Sequence, residues 1–296
     1  MDTSLEEKLL IRVHQLGKTY GKHVALDNVS FQVKKGNIVG LLGPNGAGKT
    51  SLLRILTNII KADKGEIFWK EKCMSSAMLK NIGYLPEERG LYKKMSVEAY
   101  LIYLSRLRGI PKNLGLNKIN KWLEQLSLNK WRKKPIESLS KGMQQKIQFI
   151  AAIIHDPELL ILDEPFSGFD PLNEKKIVEH ILSLKRKGTT IILSTHRMDS
   201  IEELCDDVLF LNKGQLIYSK SVKELKNEYK SDFFVLSTKD KIAELSSFLV
   251  DQEQSTWTYH VPVGIDFLLS DSIISISREG KSMKEIFIEK TGHAFS

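Results

Sequence analysis

Gly43-Pro44-Asn45-Gly46-Ala47-Gly48-Lys49-Thr50 is the segment from which the rest of the chain is read. Its spacing, G-x-x-x-x-G-K-[ST], is that of a phosphate-binding loop. Glycines let the backbone curl until successive N–H groups converge on one point, a nest for an anion. Lys49 adds a full positive charge for β- and γ-phosphates, and the Thr50 hydroxyl is a hard oxygen suited to Mg2+. The apolar run Asn37 to Leu42 leads into the loop. A helical pattern from Lys49 to about Asn58 leads out, with Leu52, Leu53 and Ile55 to bury. The start of that helix, Lys49 through Ser51, aims its positive dipole end at the same point. Strand, loop and helix in this order open an α/β unit that binds a nucleotide.

Such a site needs an acid at the end of a buried strand, and Leu159-Leu160-Ile161-Leu162-Asp163-Glu164 supplies one. A carboxylate in that position is costly unless a cation pairs with it. Asp163 is therefore expected to support Mg2+. Glu164, one residue on, is placed to polarise a water for attack on the γ-phosphate.

The 296 residues, 42% hydrophobic and 27% charged, are ordinary for a globular protein and exclude a fibrous or largely disordered chain. No apolar run approaches the roughly 20 residues needed to cross a bilayer. Met1 to Lys8 carries acids and no apolar stretch, so no signal peptide is expected. The formal net charge of +8 suits nucleic acid, an anionic membrane surface or an anionic ligand without choosing among them. Lysines run from Lys8 to Lys290 without a long block, so a solvated surface also accounts for it. Cys73 and Cys205 have the spacing of neither a disulfide framework nor a metal site and fit a reducing cytoplasm.

Leu10 to Leu16 and Ala25 to Val33 alternate apolar and polar residues and predict half-buried strands, with a turn at Asp27–Asn28. Ser96 to about Leu126 reads as helix broken at Pro111, and Lys141 to His155 as another, giving a helical insert over about 88–155. The core resumes at Leu159 to Leu162. A helix near Asn173 to Lys187, a strand at Thr190 to Ser194 and a hairpin over Asp207 to Tyr218, turning at Lys213–Gly214, follow. Beyond about Ser221 the character changes. A linking helix (Val222 to Tyr229), strands at Phe233 to Ser237, Thr256 to Val263 and Ile273 to Ser277, and helices near Lys241 to Leu249 and Ser282 to Lys290 predict a small α+β domain over 221–296. The nucleotide-binding domain is expected over 1–220.

Five further segments follow in order. They are Tyr20 in KTYGKHVALDNVSF; Ile82-Gly83-Tyr84-Leu85-Pro86-Glu87; Leu139-Ser140-Lys141-Gly142-Met143-Gln144-Gln145-Lys146; Ser167-Gly168-Phe169-Asp170; and Ser194-Thr195-His196. With the phosphate loop and the acidic strand, they make the chain resemble the ATP-binding subunits of ABC transporters. The resemblance implies a P-loop NTPase core with an antiparallel β-subdomain and helical insert. It makes Tyr20 the adenine-stacking residue and Glu87 the Q-loop residue, where the family usually has Gln and where a carboxylate still accepts Mg2+. It makes Ser140 and Gly142 the signature residues that grip a γ-phosphate held by the opposite subunit. Asp170 falls in the D-loop at the dimer interface, and His196 is the γ-phosphate sensor. The signature departs from the family at Lys141 and Met143.

The run LPEERGLYKKMSV is similar to the branch of sodium- and drug-export ATPases whose membrane permease is a separate chain. That implies ATP with Mg2+, hydrolysed between two head-to-tail copies or between this chain and a related ATPase subunit. It implies export of a substrate the sequence does not identify, and residence on the inner face of the cell membrane. The permease would couple near Arg89, Leu91, Tyr92 and the helix after Ser96, with no nucleic acid involved. One alternative is a soluble ABC ATPase acting on ribosomes or nucleic acid. The single phosphate loop and the lack of an inserted coiled coil or zinc motif argue against it. Another is an inactive module, suggested by Glu87, Lys141 and Met143, against which Asp163, Glu164 and His196 are all retained. His260 and His293 read as surface residues.

Overall fold

The computed structural model describes residues 9–88, 90–195, 198–253, 256–263, 272–278 and 280–291. The chain divides into two compact units, Met1–Lys220 and Ser221–Ser296. The first opens with β1 (Leu9–Tyr20), β2 (His23–Lys34), β3 (Ile38–Leu42) and helix α1 (Lys49–Leu56), followed by β4 (Lys64–Trp69) and β5 (Lys72–Cys73). An antiparallel sheet takes the order β2-β1-β4-β5. The turn expected at Asp27–Asn28 is not there. Both residues lie inside β2, where the register slips and Asn28 adopts a φ of 53°. Asn tolerates the left-handed region, and here that tolerance makes a bulge. The reversal comes at Gly21–Lys22, between the paired Tyr20 and His23.

The second sheet holds the site. After β6 (Ile82–Leu85) come helices α2 (Val97–Leu107), α3 (Lys112–Gln125) and α4 (Lys141–Ile153). Then follow β7 (Leu159–Asp163), α5 (Pro171–Arg186), β8 (Thr190–Ser194), α6 (Met198–Leu204), β9 (Asp207–Asn212) and β10 (Gln215–Ser221). The strand order is β10-β9-β3-β8-β7-β6, and the pairings of β3 with β8 and β9, and of β7 with β6 and β8, are all parallel. Strands β3, β7 and β8 are buried throughout and read as continuous apolar runs, as parallel strands covered on both faces do. Parallel pairing puts their C-terminal ends on one edge, where ligands of open α/β sheets bind.

The helical insert starts where the Ser96 hydroxyl caps α2 by accepting from the Ala99 N–H at 3.3 Å. Pro111 separates α2 from α3, as expected. His155 follows α4 and ties the insert to the core, its Nε2 donating to the Ile82 carbonyl at 3.1 Å while Nδ1 is buried without a partner. Burial, with the Arg108 charge adding to it, pushes the imidazole down to about 4 from its ordinary 6.5.

The second unit contains α7 (Val222–Glu228), β11 (Phe233–Thr238), β12 (Leu249–Glu253), β13 (Thr256–Pro262), β14 (Ile273–Ser277) and α8 (Met283–Thr291). Its sheet runs β12-β13-β11-β14, with antiparallel pairing throughout. The helix expected near Lys241 to Leu249 is a 3-10 turn, Ala243–Phe248, running into β12. Ser246 competes with the helical ladder by donating its hydroxyl to the Ala243 carbonyl at 2.7 Å. Leu236, Leu245, Tyr259 and Val261 form the core.

Because folded His155 holds its proton less tightly than an unfolded one, the unfolded state gains a proton first as pH falls. The native state is therefore expected to lose on the order of 2 kcal/mol between pH 6.5 and 4 through this group. In urea unfolding followed at both pH values, His155→Gln should flatten that part of the pH dependence.

Candidate nucleotide site

The phosphate loop is wedged between the two sheets. The Gly214 N–H, at the β9–β10 turn, donates to the Ala47 carbonyl at 3.0 Å, and the Asp27 N–H donates to the Gly214 carbonyl at 2.8 Å. Gly48 sits at φ 104°, and a Cβ there would lie 2.3 Å from the Ala25 carbonyl oxygen. Only glycine fits both the torsion and the contact. Gly43 is as tightly placed, since a Cβ would come within 2.2 Å of the Leu211 carbonyl oxygen. Pro44, Asn45 and Gly46 form the rim, and Ala47 is buried beneath it. Lys49, Thr50 and Ser51 begin α1.

Lys49 folds back over the loop, its Nζ donating to the carbonyls of Gly43 at 2.7 Å and Pro44 at 3.1 Å. Burial lowers its pKa. The charges of Glu164, Asp163 and Glu87 oppose that shift, so all three carboxylates act on this one ammonium. Asp163 ends β7 fully enclosed and pairs in register with Ser194 at the end of β8. The Ser194 hydroxyl donates to Asp163 Oδ1 at 2.5 Å and accepts from the Glu164 N–H at 3.1 Å. Asp163 Oδ2 is buried with no hydrogen-bond partner. A buried carboxylate oxygen without a partner, with the hard hydroxyl oxygen of Thr50 at the start of α1, is an oxygen donor set that fits Mg2+, a hard cation bound by one or two carboxylates plus phosphate. Glu164 has a φ of 49°, an uncommon torsion for a non-glycine residue. Its N–H is held by Ser194 and its carbonyl accepts from the Ser167 N–H at 3.1 Å. Such strain clusters at functional sites.

The other sequence-predicted residues lie at several places in the fold. Glu87 follows β6 and is exposed. Tyr20 ends β1, 46% exposed, with Lys18 Nζ 5.4 Å from the ring centroid. Ser140 and Gly142 start α4, where the Ser140 hydroxyl accepts from the Met143 N–H at 3.3 Å. Gly142 packs against the D-loop segment: a Cβ on it would meet the Gly168 carbonyl oxygen at 3.4 Å and the Phe169 ring at 3.5 Å. Asp170 caps α5, accepting from the Asn173 N–H at 2.9 Å. These bonds, backbone first, hold its carboxyl below the usual range. His196 and Arg89 lie outside the described residues, as does His293.

The sequence reading missed two contributors. One is Ser194 as the residue that orients both acids. The other is Tyr84 on β6, whose phenol is pushed up to about 12, by burial first and then by the charge of Asp163, while Arg54 hydrogen-bonds to it. Ser194 is legible once β7 and β8 are aligned as parallel neighbours, because their last residues then face each other.

A family model described as ABC transporter matches residues 26–167. The ABC transporter ATP-binding protein YhaQ of Bacillus subtilis (strain 168) is 36% identical over 301 residues, covering 97% of this chain and all of the relative. The chain belongs to the ABC transporter ATP-binding proteins. Among its relatives is the linearmycin resistance ATP-binding protein LnrL of the same organism, 30% identical over 96% of this chain and 91% of LnrL. A solved structure of the ATP-binding subunit of an ABC transporter superposes with a TM-score of 0.69 at 27% identity, covering 74% of this chain and 92% of that one. This protein is thus an ABC-type ATP hydrolase with a P-loop core.

Ser194→Ala should cut ATP turnover about 10-fold or more, because Asp163 and Glu164 lose a shared hydrogen-bond partner. The Mg2+ concentration for half-maximal rate should rise, while metal-free nucleotide affinity stays within about twofold of wild type.

Proposed function

We propose that this subunit powers export through a separate membrane permease by hydrolysing Mg2+–ATP at the interface of an ATPase dimer. The observation that carries the reading is the enclosed Asp163 carboxylate, bonded to Ser194 on one oxygen and open on the other, beside Lys49. In this reading Tyr20 stacks on the adenine, and the backbone from Gly43 to Gly48 with Lys49 and Ser51 cradles the phosphates. Thr50, Asp163 and Glu87 hold Mg2+, which when bound neutralises charge on the transferring phosphoryl group. Glu164 draws a proton from the attacking water, and its N–H bonds to Ser194 fix where the carboxylate begins. His196 contacts the γ-phosphate.

The dimer belongs to the same reading. Gly142, beside Ser140 at the start of α4, packs against Gly168 and Phe169, and in this reading a second copy, or a related ATPase subunit, brings its own signature to this nucleotide. ATP then favours the closed dimer because only the closed state contacts the γ-phosphate from both sides, and hydrolysis removes that preference. Export is supported by LnrL, named for linearmycin resistance, since removing a toxic compound confers resistance. No helix among the described residues is long and apolar enough to cross a membrane. In this reading a separate permease supplies the path, with this chain on its cytoplasmic face and coupled near Arg89, Leu91, Tyr92 and α2.

Glu164→Gln is expected to lower kcat by about 100-fold or more while ATP binding persists. Purified from its own membranes with ATP present, the variant should bring down a polytopic permease in stoichiometric amount. Wild-type turnover would remove Glu164 as the base, and recovery of ribosomes in place of a permease would overturn the transporter reading.

A further inference from the structure

The last residues of β1 outrun the strand on one side of them. Gly17 pairs with Lys64, the first residue of β4, whereas Lys18, Thr19 and Tyr20 go on against β2 alone, opposite Leu26, Val24 and His23. A hairpin end with one side open is the kind of segment that frays. Asp63, the residue before β4, stands in for the missing strand. Its N–H donates to the Gly17 carbonyl at 2.9 Å, its Oδ2 accepts from the Thr19 N–H at 2.7 Å, and its Oδ1 accepts from the Lys18 ammonium at 2.8 Å. Three consecutive residues of β1 are thus fastened to one. The Lys18 side chain is only 15% exposed, so its charge needs the partner it has. Its Nζ also lies 5.4 Å from the centroid of the Tyr20 ring, within reach of a cation–π attraction. The bond from Lys18, and then that from the Thr19 backbone, hold the Asp63 carboxyl below the usual carboxylate range, so the clamp is charged at neutral pH.

We propose that Asp63 is a positioning residue for base binding, setting the Tyr20 ring through Thr19 and Lys18 so that it meets the adenine already oriented. The inference rests on the reading of Tyr20 as the adenine-stacking residue. Tyr20 is half exposed at the tip of its hairpin, and a ring left loose there would lose freedom when a base stacks on it. Two backbone bonds and an ion pair remove much of that freedom before the nucleotide arrives, and preorganisation of this kind is read out as affinity. Asp63 lies on the segment that leads from α1 into β4. The chain whose first helical turn holds the phosphates therefore returns to fix the base end of the same nucleotide. Because Asp63 acts through the ring, its removal falls on recognition of the base and leaves the phosphate contacts of the loop and Lys49 unchanged.

Equilibrium binding to the full chain is measured with Mg2+ for ATP and for inorganic tripolyphosphate, which offers the phosphates without a base. Tyr20→Ala should weaken ATP about tenfold or more, the scale of a lost base–aromatic stack. Asp63→Ala should weaken it about fivefold, and Asp63→Asn, which keeps an oxygen for the Thr19 N–H, about threefold. Each variant should bind tripolyphosphate within about twofold of wild type, which also shows that it is folded. The Tyr20→Ala/Asp63→Ala double variant should bind ATP no more weakly than Tyr20→Ala alone, because Asp63 then has no ring left to position. Wild-type ATP affinity in Asp63→Ala would overturn the proposal. So would additive losses in the double variant, or an Asp63→Asn chain that loses ATP and tripolyphosphate alike, since Asp63 would then act apart from the ring. Wild-type ATP affinity in Tyr20→Ala would overturn the stacking reading and the proposal together, whereas a loss in Tyr20→Ala with none in Asp63→Ala removes the proposal alone.

Discussion

The site is built on a carboxylate that is taken out of water with one oxygen unpaired. Burying Asp163 at the end of β7 costs free energy that only a partner returns, and the protein supplies half of one through the Ser194 hydroxyl. The other half is left to something cationic. Once Asp163 is fixed, the positions of its neighbours follow. Parallel pairing in register brings Ser194 alongside, the next backbone N–H belongs to Glu164, and both are turned toward the loop that holds Lys49. The strand order, with β8 between β3 and β7, is what allows one serine to serve both acids.

The phosphate loop depends on an equally local constraint. Gly43 and Gly48 lie where the backbone of Leu211 and Ala25 approaches to within the reach of a Cβ, so the loop is shaped by the β9–β10 hairpin on one side and by β2 on the other. The antiparallel sheet is therefore part of the site, although only Tyr20 at its tip is assigned to touch the nucleotide. Lys49 is held across the loop by donating to the carbonyls of Gly43 and Pro44. The third N–H of that ammonium can make a charge-assisted bond to a phosphate in the loop.

Most of the core was readable because its signals are local. Continuous apolar runs marked the buried strands, glycines at fixed spacing marked the loop, and Pro111 and Ser96 punctuated the insert. What failed depended on partners distant in sequence. Asp27–Asn28 has the composition of a turn, but β1 runs past it and converts the left-handed Asn28 into a bulge. Lys241 to Leu249 has a helical pattern of apolar residues, but the Ile242 N–H is claimed by the Tyr259 hydroxyl at 2.8 Å and the segment bends into an edge strand. Ser194 was quoted for its neighbours, since its own role depends on a strand thirty-one residues earlier.

The signature helix and the D-loop illustrate the same point for mechanism. Lys146, mostly buried on α4, donates to Asn173 Oδ1 at 2.6 Å, and Asn173 in turn donates to both oxygens of Asp170, at 2.9 and 2.5 Å. Burial lowers the Lys146 pKa, so its bond to a neutral amide oxygen replaces hydration lost on folding. This chain of three side chains joins the start of α5 to α4, while Gly142 packs on Phe169 nearby. A displacement of Ser140 and Gly142 must then carry Asp170 with it or break a bond to a desolvated ammonium. In the proposed dimer, the segment that grips the partner's nucleotide and the segment that crosses the interface would move as one piece. That makes closure a property of the whole insert and not of a single loop.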